Sequence, residues 1–331
     1  MAAGVIDKLR FVRACVVQID DGGRLLLNRL QRFTLALLLA LAAPCGAVLA
    51  AMPTVDELAA VLWRYNELNQ TDLPIPSSEQ LGTLIDGDML DLRERTPIED
   101  WRGKPQDRIR VVGYQLIERP RLLVWLATLN ASAEHSQRLT EHLVDDDDAG
   151  TSIWYQHLNT PWPVRNRHWV IRNDKNTEIA KATSGLVWEH NWELAERGQD
   201  TALNLLLNDD VEGLDEKDAD SSIYLTVNRG AWTMFAVNDE VTLVVAHTTA
   251  DMGGWIPESW VARFSSRQLT HVLKNLTAKA DTVHKDYTGD YTVFGGDGVP
   301  IAPSQASDVR RQFHLSQDRS ASTRADESHR Q

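Results

Sequence analysis

Between residues 257 and 287, Trp260, Phe264, Leu269, Val272, Leu273, Leu276, Ala280 and Val283 recur at helical spacing, with no Gly or Pro to interrupt them. A helix this long with one apolar stripe needs a broad apolar partner. The preceding residues supply one, because there the hydrophobic period changes to two. Candidate strands are 152–158, 168–173, 184–195, 223–231 and 240–250, with 233–237 continuing the fourth past Gly230. The stretch 208–222 is acidic and turn-rich and reads as a surface loop; its neighbour 203–207 fits strand or helix.

Upstream, residues 55–67 carry Leu58, Val61, Leu62 and Tyr65 on one face, with Thr54 placed as N-cap and Glu57 three residues on. Strand-like runs at 89–95 and 108–117 flank a Pro- and Gly-bearing turn, and 119–129 and 134–143 read as helices. Asp145 to Asp148 reads as a solvated acidic loop. After Gly289 the chain turns polar, and 289–331 is expected to be a disordered tail. The order of elements is α+β: a curved antiparallel β-sheet wrapped around a long C-terminal α-helix. Such a sheet leaves space against the helix, either filled by side chains or kept for a ligand. The expected divisions are 1–51 (N-terminal extension and signal peptide), 52–80 (first helix and linker), 81–288 (the main domain) and 289–331.

Residues 33–43, FTLALLLALAA, follow Arg29 and Arg32 and precede Pro44, Gly46 and a small-residue stretch ending at Ala50 and Ala51. These are the parts of a secretory signal peptide in order, with cleavage after Ala50 or Ala51. An uncleaved anchor is the alternative, since residues 33–51 are uncharged over a span length. The segment before Arg29 is longer than a usual n-region, which points to a start among residues 16–30. Residues 1–51 hold six basic and three acidic side chains, so cleavage takes the formal charge from −13 to −16. That balance argues against nucleic acid and against permanent docking on an anionic membrane, leaving room only for transient membrane contact. Both cysteines, Cys15 and Cys45, precede residue 52, so the body can have no disulfide, thiolate metal site or thiol nucleophile.

Candidate site residues come from strand phase. Leu186, Trp188, His190, Trp192 and Leu194 share one face, and Glu189, Asn191 and Glu193 the other. The apolar face is expected to look toward the helix, which makes His190 a polar group on an apolar wall. It either orients a ligand or is a core histidine satisfied by a neighbour. The same reasoning selects Tyr155 and His247; Trp169, Trp232 and Phe264 complete the expected ligand-binding set. Trp162, between two prolines, and Gly253, Gly254 and Trp255, before the long helix, are expected at a gate, or else form ordinary loops and turns. No metal, cofactor, nucleophile-elbow or phosphate-loop motif is present.

Three stretches resemble bacterial START-like proteins of the helix-grip superfamily. They are Trp154 to Val170 with its Pro161-Trp162-Pro163 core, Gly230-Ala-Trp232, and Ala250-Asp-Met-Gly-Gly-Trp-Ile-Pro257 leading into the closing helix. They occur in family order, and with the preceding helices the resemblance covers roughly residues 81–287. It departs at His168, where the family usually has Asp, which puts an Arg167–Asp pairing in doubt, and at Met252, where it usually has Pro. The resemblance implies a helix-grip fold whose cavity binds a hydrophobic small molecule or lipid. It leaves open a cavity enzyme of cyclase or aromatase type, with His190 or Tyr155 as general acid/base.

Overall fold

The computed structural model describes residues 52–69, 72–129, 138–147, 150–290 and 292–328. The expected signal peptide therefore lies outside the described residues. Helix α1 (Val55–Leu68) starts with a reciprocal capping box between Thr54 and Glu57. A second box, Ser77 with Gln80, starts α2 (Ser78–Ile85), a helix that the sequence pattern does not predict and that straddles the expected boundary at 80/81. Strands β1 (Leu90–Glu99) and β2 (Pro105–Ile117) form a hairpin, and α3 (Arg121–Leu129) follows. Residues 123–128 of α3 are all buried, as suits a helix apolar on every side.

Seven strands and three short helices come next: β3 (Leu139–Asp146), β4 (Ser152–Leu158), β5 (Arg167–Lys175), α4 (Thr177–Ala182), β6 (Val187–Leu194), α5 (Gly198–Leu207), α6 (Glu216–Ser221), β7 (Ile223–Tyr224), β8 (Val227–Ala236) and β9 (Thr242–Asp251). The sheet order is β1-β2-β9-β8-β6-β5-β4-β3, antiparallel throughout, with β7 added in parallel beside β5. The long helix α7 (Glu258–Asp286) packs on one face of this sheet, here called inner. This is the α+β helix-grip architecture.

The two faces of the sheet carry separate cores. On the inner face, Val111, Val244 and Ala246 meet Leu269, Leu273 and Leu276 of α7 and most of α3. On the outer face, Leu58, Leu62 and Tyr65 of α1 and Leu81 and Leu84 of α2 cover Val112, Tyr114, Val245 and Phe235. Helix α5 covers the outer face farther along, where Ala202 and Leu206 meet Tyr155 and Val170. A sheet buried on both faces needs polar groups to be satisfied internally. Glu189, 2% exposed, shows how. Its carboxylate accepts from Tyr65 Oη, from Thr233 Oγ1 at 2.8 Å, and from Asn176 Nδ2 at 2.8 Å.

Several expectations are corrected. Residues 139–146 form β3, not the end of a helix, because they pair with β4 as far as Asp146. The expected acidic loop thus loses Asp145 and Asp146 to a strand. The ambiguous 203–207 belongs to helix α5, and the following loop contains α6 with its own capping box at Asp215. The expected disordered tail instead forms a small hairpin, β10 (Val293–Phe294) with β11 (Pro300–Ile301), and a helix, α8 (Pro303–Ser328). Val293, Ile301, Ala306 and Phe313 are buried there, four apolar positions spaced too sparsely to stand out in a polar stretch.

Candidate functional site

Helix α7 lies toward the β1, β2 and β9 side of the sheet and leaves the inner face of β3 to β6 less covered. A cavity of about 440 Å³ opens there, between those strands, α3 and Val272 of α7. Strand phase decides its walls. In register, Trp154 faces Ile171, Asn173 faces Trp192, Lys175 faces His190 and His190 faces Trp232, so these side chains project together to the inner face. Trp154, Ile171, Trp192, Trp232, Leu129 and Leu139 form the apolar wall.

The polar end is built from Lys175, His190 and Thr128. His190 Nε2 lies 3.2 Å from Thr128 Oγ1, and its ring stands edge-on to Trp125 at 5.2 Å. Burial, reinforced by the Lys175 charge, pushes its pKa down to about 3, so the imidazole is neutral at ordinary pH. Burial also lowers the Lys175 pKa, against the pull of Asp147 and Asp174. Its ammonium donates to the Gly150 carbonyl and lies 5.6 Å from the Phe294 ring centroid. Beside this end, Gln156 bridges from Glu141 to the Trp169 indole, which donates to Gln156 Oε1 at 2.6 Å.

The structure brings His190, Trp192 and Trp232 of the expected set to the cavity wall. Trp169 lies on the same face, one strand pair deeper, among Ile171 and Leu225. Trp188 also faces inward but is core: Trp125 packs edge-on at 5.4 Å and the Arg121 guanidinium stacks 4.0 Å above its ring.

Three expected residues are elsewhere. Tyr155 lies on the outer face under α5, with its hydroxyl 3.4 Å from His168 Nδ1. His247 is on the outer face as well, in phase with Leu243 and Val245 against α1 and out of phase with Val244 and Ala246 against α7. A strand that is apolar on both sides, as around His247, or mixed on both, as around Tyr155, hides its phase, and that is the physical reason for both misplacements. Phe264 is 50% exposed and Trp260 64%. At about 100° per residue they sit roughly 140° and 180° away from the Leu269 line, off the buried stripe.

Among the expected gate residues, Trp162 is 92% exposed and Trp255 68%, and neither lines the cavity. Gly253 and Gly254 both have positive φ, 66° and 72°. Arg167, 1% exposed, is anchored without any acid: it donates to the carbonyls of Arg165, Met252 and Gly253. That explains how His168 can stand where a carboxylate was expected. Sequence reading missed Thr128, Glu141, Gln156, Asn173 and Lys175; the available signal for Gln156, Asn173 and Lys175 was in-phase spacing with Trp154 or Trp169, and Thr128 on α3 and Glu141 on β3 carried none.

No protein-family model matches the chain, and no curated protein matches its sequence. Among solved structures, it is similar to human STARD10, with 7% identity and a TM-score of 0.42 over 68% of this chain and 89% of that one. Human StAR-related lipid transfer protein 5 is similar at 10% identity and a TM-score of 0.41, covering 70% of this chain and 98% of that one. A STAR-related lipid transfer protein from Xanthomonas axonopodis gives 17% identity and a TM-score of 0.38, covering 56% and 98%. No helix among the described residues is long and apolar enough to cross a membrane.

Proposed function

We propose that the protein binds, and carries, one amphiphilic lipid-like molecule in the inner cavity between α3 and the sheet. The observation that supports this most is the cavity's division into an aromatic wall and one polar end. Trp154, Trp192 and Trp232 offer apolar area, while Thr128, His190 and Lys175 offer a few convergent polar groups. The volume of about 440 Å³ lies within the span of small-molecule pockets, roughly 300–1,000 Å³. Burial of the ligand's apolar body supplies most of the affinity, at about 25 cal/mol per Å². The polar end fixes its orientation. A neutral His190 suits this role. Thr128 Oγ1 donates to the Trp125 carbonyl, so His190 Nε2 donates to Thr128 and Nδ1 is left to accept from a ligand without the cost of a buried charge.

A cavity enzyme is the second reading, and the same end of the cavity is what favours it, since His190 and Lys175 are its titratable groups opposite one another. An imidazole with so low a pKa is a poor proton carrier near neutral pH, which favours binding over acid–base chemistry. Tyr155, on the outer face, takes no part in either reading.

The signal-peptide pattern of residues 29–51 supports export of the carrier to the cell envelope, with an expected mature N-terminus at Ala51 or Met52. N-terminal sequencing of exported protein tests this; a chain still beginning before Arg29 overturns it. Native mass spectrometry of protein purified from its own host, followed by solvent extraction, tests the ligand. A stoichiometric amphiphile is the expected result. A protein that carries none and takes up no apolar fluorescent probe overturns the reading.

A further inference from the structure

The outer face of the sheet has a cleft of its own, of about 700 Å³, where neither α1 and α2 nor α5 covers the strands. Register builds it. Arg110 faces Thr249, and Thr249 faces Arg229, in one row across β2, β9 and β8. In the next row His247 faces Ala231, which faces Asn191. Glu193 follows one position beyond the pairing of Trp192 with Gly230, which sets it at the far side of Arg229.

Of the cleft groups that have no hydrogen-bond partner among the described residues, three bear most on a ligand. His247 is 9% exposed, and neither of its ring nitrogens has a hydrogen-bond partner among the described residues. A buried imidazole with both nitrogens unmatched is uncommon and calls for an explanation, such as a missing ligand. Arg229 and Glu193 are exposed and form no hydrogen bond or ion pair among the described residues. Their neighbours are different. Arg110 donates to Glu94 at 2.5 Å and to the Asp72 carbonyl, and Glu189 is held by Tyr65, Asn176 and Thr233. The cleft therefore presents donors on one flank, namely Arg229, the Thr249 hydroxyl and an imidazole N–H, and a carboxylate on the other.

We propose that this outer-face cleft is a second binding site, for a small amino-carboxylate zwitterion, with its carboxylate on Arg229, Thr249 and His247 and its ammonium on Glu193. A charged guanidinium beside neutral donors matches a carboxylate in geometry and sign. A dianionic phosphate fits worse, because it would face Glu193 and Asp174 across the cleft in a chain of formal charge −13. An apolar ligand would strand all three leftover groups. The site is chemically distinct from the inner cavity beside α3 and does not depend on what that cavity holds.

The test uses the full chain, ¹⁵N-labelled, with the imidazole signals of His247 assigned by their loss in His247→Gln. Glycine, β-alanine and 4-aminobutyrate are titrated in turn, beside butyrate, butylamine and inorganic phosphate. The expected result is a saturable shift with at least one aminocarboxylate, at least tenfold tighter than with butyrate, butylamine or phosphate. Arg229→Gln and Glu193→Gln, both on exposed side chains, should each weaken it at least tenfold while uptake of an apolar probe by the inner cavity is unchanged. No saturable shift with any of the three overturns the proposal. So does equal binding of butyrate or phosphate alone, or wild-type affinity in both variants.

Discussion

Lys175 and His190 stand directly opposite one another across β5 and β6, and both line the cavity. In an antiparallel pair, opposite residues share a face at close range, so each feels the other's charge. A protonated His190 would be a second cation beside Lys175 at a buried position. The fold therefore holds the ring neutral, and the pair gives the cavity one cationic and one neutral polar group.

This relationship has a consequence for acid stability. His190 and His247 are pushed down to about 3 and His168 to about 4, in each case chiefly by burial. An unfolded histidine takes up its proton near pH 6.5. Below that pH the unfolded chain binds protons that the folded chain refuses, so stability falls as pH drops from about 6.5 toward 4. Thermal unfolding between pH 7 and pH 4.5 should show the decline, and His190→Asn should make it shallower. A flat profile in the wild type would contradict the buried neutral histidines.

The tryptophans should separate by role. Trp192→Ala and Trp232→Ala, at the cavity wall, should weaken an apolar fluorescent probe by about tenfold or more, in line with losing well over 1.4 kcal/mol of buried aromatic contact. Trp63→Ala, 61% exposed on α1, should change nothing. Trp188→Ala should lower stability by about 3 kcal/mol, because it opens a void in the core against Trp125. Probe titration and denaturant unfolding of the four variants distinguish these outcomes.

Glu189 ties α1 to the sheet. Glu189→Ala would leave the Tyr65 and Thr233 hydroxyls and the Asn176 amide without their acceptor in a buried site. A loss of about 3 kcal/mol is expected. Tyr65→Phe, which removes a single donor, should cost about 1 kcal/mol. Urea unfolding checks both, and the inner cavity should bind its probe as before, since Glu189 points to the other face.

Gly253 and Gly254 make the entry to α7 a matter of backbone angle. Both adopt the left-handed region, and a Cβ on Gly253 would come 3.1 Å from Ile223. Gly253→Ala should therefore lower stability by about 1 kcal/mol or more. If the pair also acts as a gate, stopped-flow uptake of an apolar probe should slow in Gly254→Ala while equilibrium affinity stays the same. Unchanged rates in a folded variant would remove these glycines from any gating role.

The C-terminal helix should prove part of the domain. Phe313 is 5% exposed, and the Arg119 guanidinium lies 5.1 Å from its ring centroid. Phe313→Ala should cost about 3 kcal/mol, the loss of a core aromatic. Deletion of residues 303–331 should lower the melting temperature by several degrees. A neutral effect in differential scanning calorimetry would return this segment to the role of a loose tail.

Local patterns determined much of this protein from sequence alone. The capping pair Thr54 and Glu57, the uninterrupted helix ending near Tyr287 and the alternation through Trp188, His190 and Trp192 are encoded within a few residues, so periodicity reveals them. Their order implied an α+β sheet closed by one helix. What only the tertiary structure decided was which side of each strand became the cavity. Helices α1, α2 and α5 bury part of the outer face, as α3 and α7 bury part of the inner one, so the strands there are apolar or mixed on both sides and carry no phase signal. Tyr155 and His247 went to the outer face for that reason. Thr128 of α3 and Glu141 of β3 entered the cavity because helix packing and register carried them there, a relation between residues far apart in the chain that no local pattern contains.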